Sequence, residues 1–271
     1  MRPRVSAIAI ALLVVPTAFA APAEVVNVEV RPGVTMRYLA ITPDGQPRAG
    51  VILLAGGNGA LRLSPSGAIG NLSLNFLVRS RERLASQGLF VAVLDAASDH
   101  RPGMNGAIRL SEQHAQDIGR VVADVRRRAG GVPVWLIGTS AGTLSAAGAC
   151  ARLAGADPTM RPHGLVLTST MTTLDAAGYC GKSVYDAALG EIRVPVLVVS
   201  HQDDGCRCSP GNSAVGARLL ASLSRAPAKV HRIFTGGSAP ISDPCDWQAP
   251  HGFFGIEDSV IAFIADWIKA H

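Results

Sequence analysis

The stretch that most constrains how this chain can fold is residues 132–142, VPVWLIGTSAG, where an apolar run meets a turn of small residues. Residues 133–137 are apolar without alternation, which is typical of a strand buried on both faces inside a parallel sheet. In the turn that follows, glycines stand two residues before and two residues after Ser140, the spacing G-x-S-x-G. A serine at a sharp bend between a strand and a helix needs those glycines, because a side chain at either position would collide with neighbouring backbone. The stretch predicts a buried strand, a bend at Ser140, and a helix that continues to about residue 153.

Apolar strands alternate with helical segments along the rest of the chain. Continuous apolar runs predict strands at residues 50–55, 89–94, 164–168, 194–200 and 229–234. Helical spacing and end signals predict helices at residues 75–87, 111–128, 212–222 and 256–269. The alternating segments 25–30 and 35–41, joined by a Pro-Gly turn, predict a hairpin.

This order of elements predicts an α/β fold. Strands and helices in alternation favour a mostly parallel twisted sheet with helices on both faces and an N-terminal antiparallel hairpin. The chain has 271 residues, of which 48% are hydrophobic, and no shift in composition divides residues 21–271. We therefore expect one large core and a single domain over residues 21–271.

Residues 1–20 have the pattern of a secretory signal peptide. Arg2 and Arg4 precede an apolar run over residues 5–15, and Ala18-Phe19-Ala20 has the small-x-small pattern of a cleavage site. A membrane anchor is the weaker interpretation, because the apolar run is short for a bilayer and Pro16 interrupts it. We expect cleavage after Ala20, a secreted or periplasmic protein, and no stable membrane insertion once the signal is removed.

The charge of the chain does not indicate a nucleic-acid partner. The formal net charge is +5 for the full sequence, and loss of residues 1–20 removes two arginines and no acids, which leaves +3. This excess is small and scattered along the chain, whereas nucleic-acid binding needs a concentrated basic surface.

The five cysteines are Cys150, Cys180, Cys206, Cys208 and Cys245. Export would allow disulfides, and the odd number leaves at least one cysteine unpaired. A metal site built from Cys206, Cys208 and Cys245 with His201 or His251 is the alternative interpretation. Its spacing matches no standard zinc pattern, so we expect neither a metal nor a cofactor.

Polar residues that could activate Ser140 follow two later strands. A serine becomes a nucleophile at neutral pH when a base takes its proton and an acid orients that base. Asp203 and Asp204 follow the strand at residues 194–200, and His251 lies in the loop after the strand at residues 229–234. Since the carboxyl ends of parallel strands meet at one edge of a sheet, these side chains can converge on Ser140.

Together these residues resemble the α/β-hydrolase superfamily, and in particular its serine esterases and dienelactone hydrolases, over nearly all of residues 21–271. The resemblance rests on G-x-S-x-G after a buried strand, on a glycine turn at residues 56–59, on an acid after the penultimate strand, and on His251-Gly252 before the last helix. It implies that Ser140 is the nucleophile and His251 the general base and then acid. It also implies Asp204 as the orienting acid, from the usual spacing of that loop, with Asp203 as the alternative.

The same resemblance implies an oxyanion hole. The backbone N–H of Ala141 and one from Gly57 or Asn58 would stabilise the oxyanion, although Ala55 stands where many lipases and esterases have a histidine. Cys206 and Cys208 both lie just beyond the acid, and Cys245 lies just before His251. We predict a disulfide between Cys206 and Cys245, because Cys206 is nearer the acid, and this bond would tie together the loops that carry the acid and the histidine.

The function that this resemblance implies is hydrolysis of a small-molecule carboxylic ester through an acyl-enzyme. Only about two dozen residues separate the strand that ends near Met171 from the one at 194–200, which implies a small cap and an open site. Arg79, Arg81 and Arg109 are candidate anion-binding residues. Amidase, peptidase or acyltransferase activity with the same residues, or a binding protein without catalysis, are the alternatives, and the oligomeric state is left open.

Overall fold

The computed structural model describes residues 23–174 and 180–271. The signal peptide predicted at residues 1–20 lies outside this part of the chain. Eight strands are present: β1 (Ala23–Arg31), β2 (Val34–Ile41), β3 (Ala49–Leu54), β4 (Leu89–Leu94), β5 (Val134–Thr139), β6 (Gly164–Thr168), β7 (Val196–His201) and β8 (Lys229–Phe234).

The strands form one sheet in the order β1-β2-β4-β3-β5-β6-β7-β8. β1 and β2 pair antiparallel as the expected hairpin, and β2 pairs antiparallel with β4. The remaining neighbours, from β4 through β3 to β8, are parallel. The predicted mostly parallel sheet with an N-terminal antiparallel hairpin is confirmed.

Seven α-helices surround the sheet in the described residues: α1 (Phe76–Arg79), α2 (Arg81–Ser86), α3 (Gly106–Arg109), α4 (Glu112–Arg128), α5 (Gly142–Arg152), α6 (Ser213–Ser222) and α7 (Glu257–Ala270). Buried side chains of α4, α5 and α6 form the core on one face of the sheet. Those of α1, α2 and α7 form the core on the other face. Both faces are therefore covered, as the apolar strands require.

One local prediction was wrong. The helix expected over residues 75–87 is divided into α1 and α2 at Ser80, which is fully buried and has φ −95° and ψ 3°. The segment at residues 95–109, for which no element was predicted from the sequence, contains α3 and a 3-10 turn at Ser98–His100. Asn105 caps α3 through its side-chain oxygen, which accepts from the Ile108 amide at 2.9 Å.

The segment between β6 and β7 is short. Its described part holds two 3-10 turns, Val184–Asp186 and Leu189–Glu191, and Leu189 packs into the core beneath it. None of the helices in the described residues is long and apolar enough to cross a lipid bilayer.

Because β3, β5, β7 and β8 run in the same direction, their carboxyl ends share one edge of the sheet, where the loops after them meet.

Candidate active site

Ser140 lies at the bend between β5 and α5 with φ +52°, in the left-handed region. The glycines on either side are required by close backbone approach. A Cβ on Gly138 would lie 2.6 Å from the Gly142 carbonyl oxygen, and one on Gly142 would lie 2.0 Å from the Leu54 carbonyl oxygen. The G-x-S-x-G spacing is thus the sequence signal of this tight bend.

The His251 ring contacts a carboxylate from the loop after β7. Its Nδ1 is 3.0 Å from Asp204 Oδ2, and the side chain of Asp204 is fully buried. The other carboxylate oxygen, Oδ1, accepts from the Cys206 amide at 2.9 Å. With a proton on Nδ1 donated to the carboxylate, the second ring nitrogen, Nε2, is left free to accept a proton.

His251 Nε2 is buried and has no hydrogen-bond partner among the described residues. His251 lines a cavity of about 300 Å³ whose lining also includes Ser140, Gly57, Ala141 and Trp247. No hydrogen bond joins Ser140 Oγ to Nε2 in the structure. A histidine that lines the same cavity as a serine, and whose second ring nitrogen has no partner, has a free acceptor for a proton beside that serine.

Asp203, the alternative acid, does not contact His251. Its backbone N–H donates to His201 Nδ1 at 3.0 Å, and the residue lines a separate cavity on the far side of the loop. The second nitrogen of His201, Nε2, is 2.8 Å from the Gly236 carbonyl oxygen. Both ring nitrogens of His201 are therefore used to hold the loop that carries Asp204.

The residues expected at the oxyanion hole lie beside Ser140. Gly57 and Ala141 line its cavity, and their backbone N–H groups have no acceptor among the described residues. Asn58 lines the neighbouring cavity instead. The Asn58 side chain is occupied, since Nδ2 donates to the Pro102 carbonyl at 3.2 Å and Oδ1 accepts from the Ala60 amide at 3.2 Å.

Arg109 supports the turn that carries Gly57. This role was not predicted from the sequence. The residue is 2% exposed, and its Nη2 donates to the carbonyl oxygens of Ala55 and Gly57 at 3.2 and 3.1 Å. Burial lowers the pKa of its guanidinium to about 10, so it stays charged at neutral pH. The interpretation of Arg109 as an anion-binding residue is corrected, because the residue is buried and both of its Nη groups donate to oxygens of the chain itself. Nothing in the local sequence signals these contacts.

The loop of His251 is held from three sides. Arg79 Nη2 donates to the Gly252 carbonyl at 2.7 Å while its guanidinium pairs with Glu257 at 2.8 Å. Ser169 Oγ donates to the His251 carbonyl at 2.6 Å. Phe253, with φ +55°, buries its ring against Phe76 at 4.8 Å between centroids. Arg79 is thereby a structural residue rather than a free anion binder, and Arg81 pairs with Glu82.

Four of the five cysteines form disulfides, Cys206–Cys245 and Cys180–Cys208. The first is the pair expected to join the acid and histidine loops, and the second was not predicted. Cys150 is unpaired and buried in α5, where burial raises the pKa of its thiol. The metal site considered for Cys206, Cys208 and Cys245 is incompatible with these disulfides, because it needs free thiolates.

The chain is similar to known proteins in its structure. No family model matches the sequence, and no curated protein matches it. Among solved structures, the chain resembles a cold-adapted esterase from an Arctic intertidal metagenomic library, at 15% identity and a TM-score of 0.57, with 94% of this chain and 96% of that one covered.

Two further solved structures have the same fold. One is a dienelactone hydrolase from Anabaena variabilis, at 17% identity, TM-score 0.57, and coverage of 93% of this chain and 99% of that one. The other is an α/β serine hydrolase without lid from Xanthomonas campestris, at 13% identity, TM-score 0.55, and coverage of 92% and 98%. The chain therefore has the α/β-hydrolase fold over almost its whole length.

Proposed function

We propose that this chain, which has the α/β-hydrolase fold, is a serine hydrolase that cleaves a carboxylic ester through an acyl-enzyme on Ser140. The observation that carries the proposal is the buried Asp204–His251 pair, whose histidine has a partnerless Nε2 and lines the same cavity as Ser140. Acyl transfer needs a nucleophile, a base beside it, and an acid that orients the base. Ser140, His251 and Asp204 are proposed for these three roles.

In the acylation step, Ser140 Oγ attacks the ester carbonyl carbon as its proton passes to His251 Nε2. Asp204 keeps the Nδ1 proton in its hydrogen bond and stabilises the imidazolium that forms. The negative charge on the carbonyl oxygen is met by the N–H groups of Ala141 and Gly57, which have no other acceptor in the described chain. The intermediate then collapses, the C–O bond to the alcohol breaks, and the alcohol takes the proton from Nε2.

In the deacylation step, a water molecule repeats the attack on the acyl carbon. His251 Nε2 accepts a proton from that water and returns it to Ser140 Oγ as the acid leaves. The missing hydrogen bond between Ser140 and His251 is compatible with these steps. In proteins without a bound substrate such bonds are often long, and they shorten in the complex.

The shape of the cavity favours a short acyl group. It holds about 300 Å³, at the lower end of the range for small-molecule sites, and Phe76, Met171 and Trp247 are among its lining residues. The similar structures include a cold-adapted esterase, a dienelactone hydrolase and a hydrolase without lid. This similarity supports an ester substrate and an open site.

Labelling with a fluorophosphonate probe tests the proposal. We expect covalent labelling of the wild-type protein at Ser140, no labelling of Ser140→Ala, and unchanged labelling of Ser86→Ala, a control at an exposed serine. A panel of p-nitrophenyl esters of increasing chain length should show highest kcat/KM for short acyl groups. A wild-type protein that resists the probe and cleaves none of the esters would contradict the proposal and favour a binding protein.

We also propose that the chain is exported, with residues 21–271 as the mature domain. The two disulfides support an oxidising compartment, since such bonds persist there and are rare in the cytosol. Protein sequencing of the exported form should find Ala21 at its N-terminus.

A further inference from the structure

A second cavity, of about 320 Å³, lies at the same edge of the sheet as Ser140 and is lined by three arginines, Arg37, Arg62 and Arg101. We refer to it as the arginine cavity. One wall comes from the start of β2, a second from the segment at residues 61–63 between β3 and α1, and a third from the loop after β4. Three segments that are distant in sequence thus bring three arginines around one space.

The described residues do not neutralise the positive charge of the arginine cavity. Its one lining carboxylate, Asp95, accepts from the backbone amides of Leu61, Leu63 and Ala96 at 2.6 to 2.8 Å and forms no ion pair with the three arginines. Asp99 in the same loop is already paired with Arg31 at 2.9 Å. Three cations against one carboxylate that is already hydrogen-bonded leave a net positive site.

Most of the guanidinium donors in the arginine cavity are unused. Arg62 and Arg101 form no side-chain hydrogen bond or ion pair within residues 23–174 and 180–271. Arg37 donates through Nε to Asn27 Oδ1 at 2.8 Å and through Nη1 to the Leu63 carbonyl at 3.3 Å, which leaves its Nη2 available. Guanidinium groups present fixed forks of N–H donors that match carboxylate, sulfate and phosphate oxygens.

Arg62 is held at this position against its backbone preference. Its φ of +53° lies in the left-handed region, which arginine adopts rarely. The Asp95 carboxylate binds the amides of both neighbours of Arg62 and so imposes this conformation. Non-glycine residues in such conformations are concentrated at functional sites, where the surrounding structure maintains them.

We propose that the arginine cavity binds an oxyanion group, either a free phosphate or sulfate or the acidic group of an extended ester. The loop that carries Arg101 contacts the turn at residues 55–59 beside Ser140, here called the active-site turn, because Asn58 donates to the Pro102 carbonyl. The acidic group at the far end of an extended ester bound at Ser140 is therefore a second candidate for the anion. This second source of the anion rests on the proposed hydrolase function, whereas binding of a free anion does not.

The first experiment measures phosphate binding without any catalysis. The unfolding temperature is followed as phosphate replaces chloride at constant ionic strength, which yields a dissociation constant. The test variant is Arg62→Met with Arg101→Met. The matched control is Arg48→Met with Arg120→Met, which removes the same charge at two exposed positions outside the cavity.

We expect phosphate to stabilise the wild type and the control variant alike and to bind the test variant at least about tenfold more weakly, since two charged donors are lost. Circular dichroism would verify that the test variant is folded. Equal stabilisation of all three proteins, or none in any of them, would overturn the proposal.

The second experiment identifies the source of the anion. It compares KM for p-nitrophenyl acetate with KM for mono-p-nitrophenyl esters of dicarboxylic acids of increasing length. If the acidic group of the substrate is the ligand, the test variant raises KM for one length of acidic ester and leaves the acetate unchanged. If phosphate binds, but the ratio of KM for the acidic esters to KM for the acetate is the same in the test variant and the wild type, the ligand is a free anion. Absence of all hydrolysis would count against the proposed function and leave the phosphate result intact.

Discussion

Arg109 is a buried cation whose partners are neutral. In the described chain it contacts no carboxylate, and besides the two carbonyls of the active-site turn it donates to Ser145 Oγ at 3.0 Å. A cation taken out of water is costly unless hydrogen bonds compensate it. Gly59 belongs to the same arrangement, because a Cβ there would lie 2.6 Å from Arg109 Nη2. The geometry indicates that Arg109 fixes the direction in which the Gly57 peptide group points.

Replacing Arg109 by Met is therefore expected to lower kcat by about tenfold or more with little change in KM. An intact oxyanion donor contributes roughly 2.7–4 kcal/mol to the transition state, and a turn without its anchor would lose part of this. Steady-state kinetics on a short p-nitrophenyl ester would measure the effect, with Arg225→Met, an exposed arginine paired with Glu191, as the control. Added guanidinium should restore part of the lost kcat. A kcat within twofold of wild type would show that Arg109 does not position the turn.

The loops after β6, β7 and β8 are joined by the two disulfides rather than by regular structure. Cys206–Cys245 links the acid loop to the histidine loop, and Cys180–Cys208 links the acid loop to the segment after β6. Cys206 also donates its amide to Asp204, so one residue both crosslinks the loops and orients the carboxylate. Restraint of the Asp204–His251 contact thus depends on covalent crosslinks between elements.

Removal of Cys206–Cys245 by a double substitution to Ala is expected to lower the free energy of unfolding by about 2–4 kcal/mol. The bridge closes a loop over a sequence separation of 39 residues, and its loss frees the unfolded chain. We expect kcat to fall as well, because the acid and histidine loops then move independently. Denaturant unfolding and kinetics would be measured beside the double substitution of Cys180 and Cys208. Equal kcat losses in both variants would contradict a specific link between Cys206–Cys245 and the His251 contact.

The stability of the folded chain as a whole is coupled to pH through His114 at the start of α4. Its ring nitrogen Nε2 is 3.0 Å from Ser145 Oγ, the hydroxyl that also accepts from Arg109. Burial, followed by the charges of Arg109 and His100, lowers the pKa of His114 to about 3. The network therefore requires a neutral imidazole in the native state.

Acidification is expected to destabilise the protein through this residue. In the unfolded chain His114 takes up a proton near pH 6.5, whereas in the folded chain it resists protonation down to about pH 3. Stability is thus lost as pH falls through that window, by roughly 2 kcal/mol between pH 7 and pH 5. Urea unfolding of the wild type and of His114→Gln at both pH values would measure the difference. An identical pH dependence in the two proteins would contradict the assignment.

Much of the fold follows from local patterns in the sequence. Unbroken apolar runs such as residues 133–137 can only be buried on both faces, and their alternation with helical segments leaves few topologies other than the observed sheet. The glycines around Ser140 likewise report a steric requirement that acts within five residues. The break at Ser80 had no such local signal, and so the helix was predicted as continuous.

Contacts between segments that are distant in sequence could be identified only in the folded structure. Adjacent aspartates have the same local chemistry, but Asp204 contacts His251 and Asp203 lines a different cavity, because neighbouring side chains leave the loop in different directions. The pairing of Cys180 with Cys208, the anchoring of the active-site turn by Arg109, and the gathering of Arg37, Arg62 and Arg101 around one cavity have the same origin. Each depends on the convergence of loops at one edge of the sheet. Local periodicity encodes which strands and helices form, but the directions of side chains in the loops between them are set by packing.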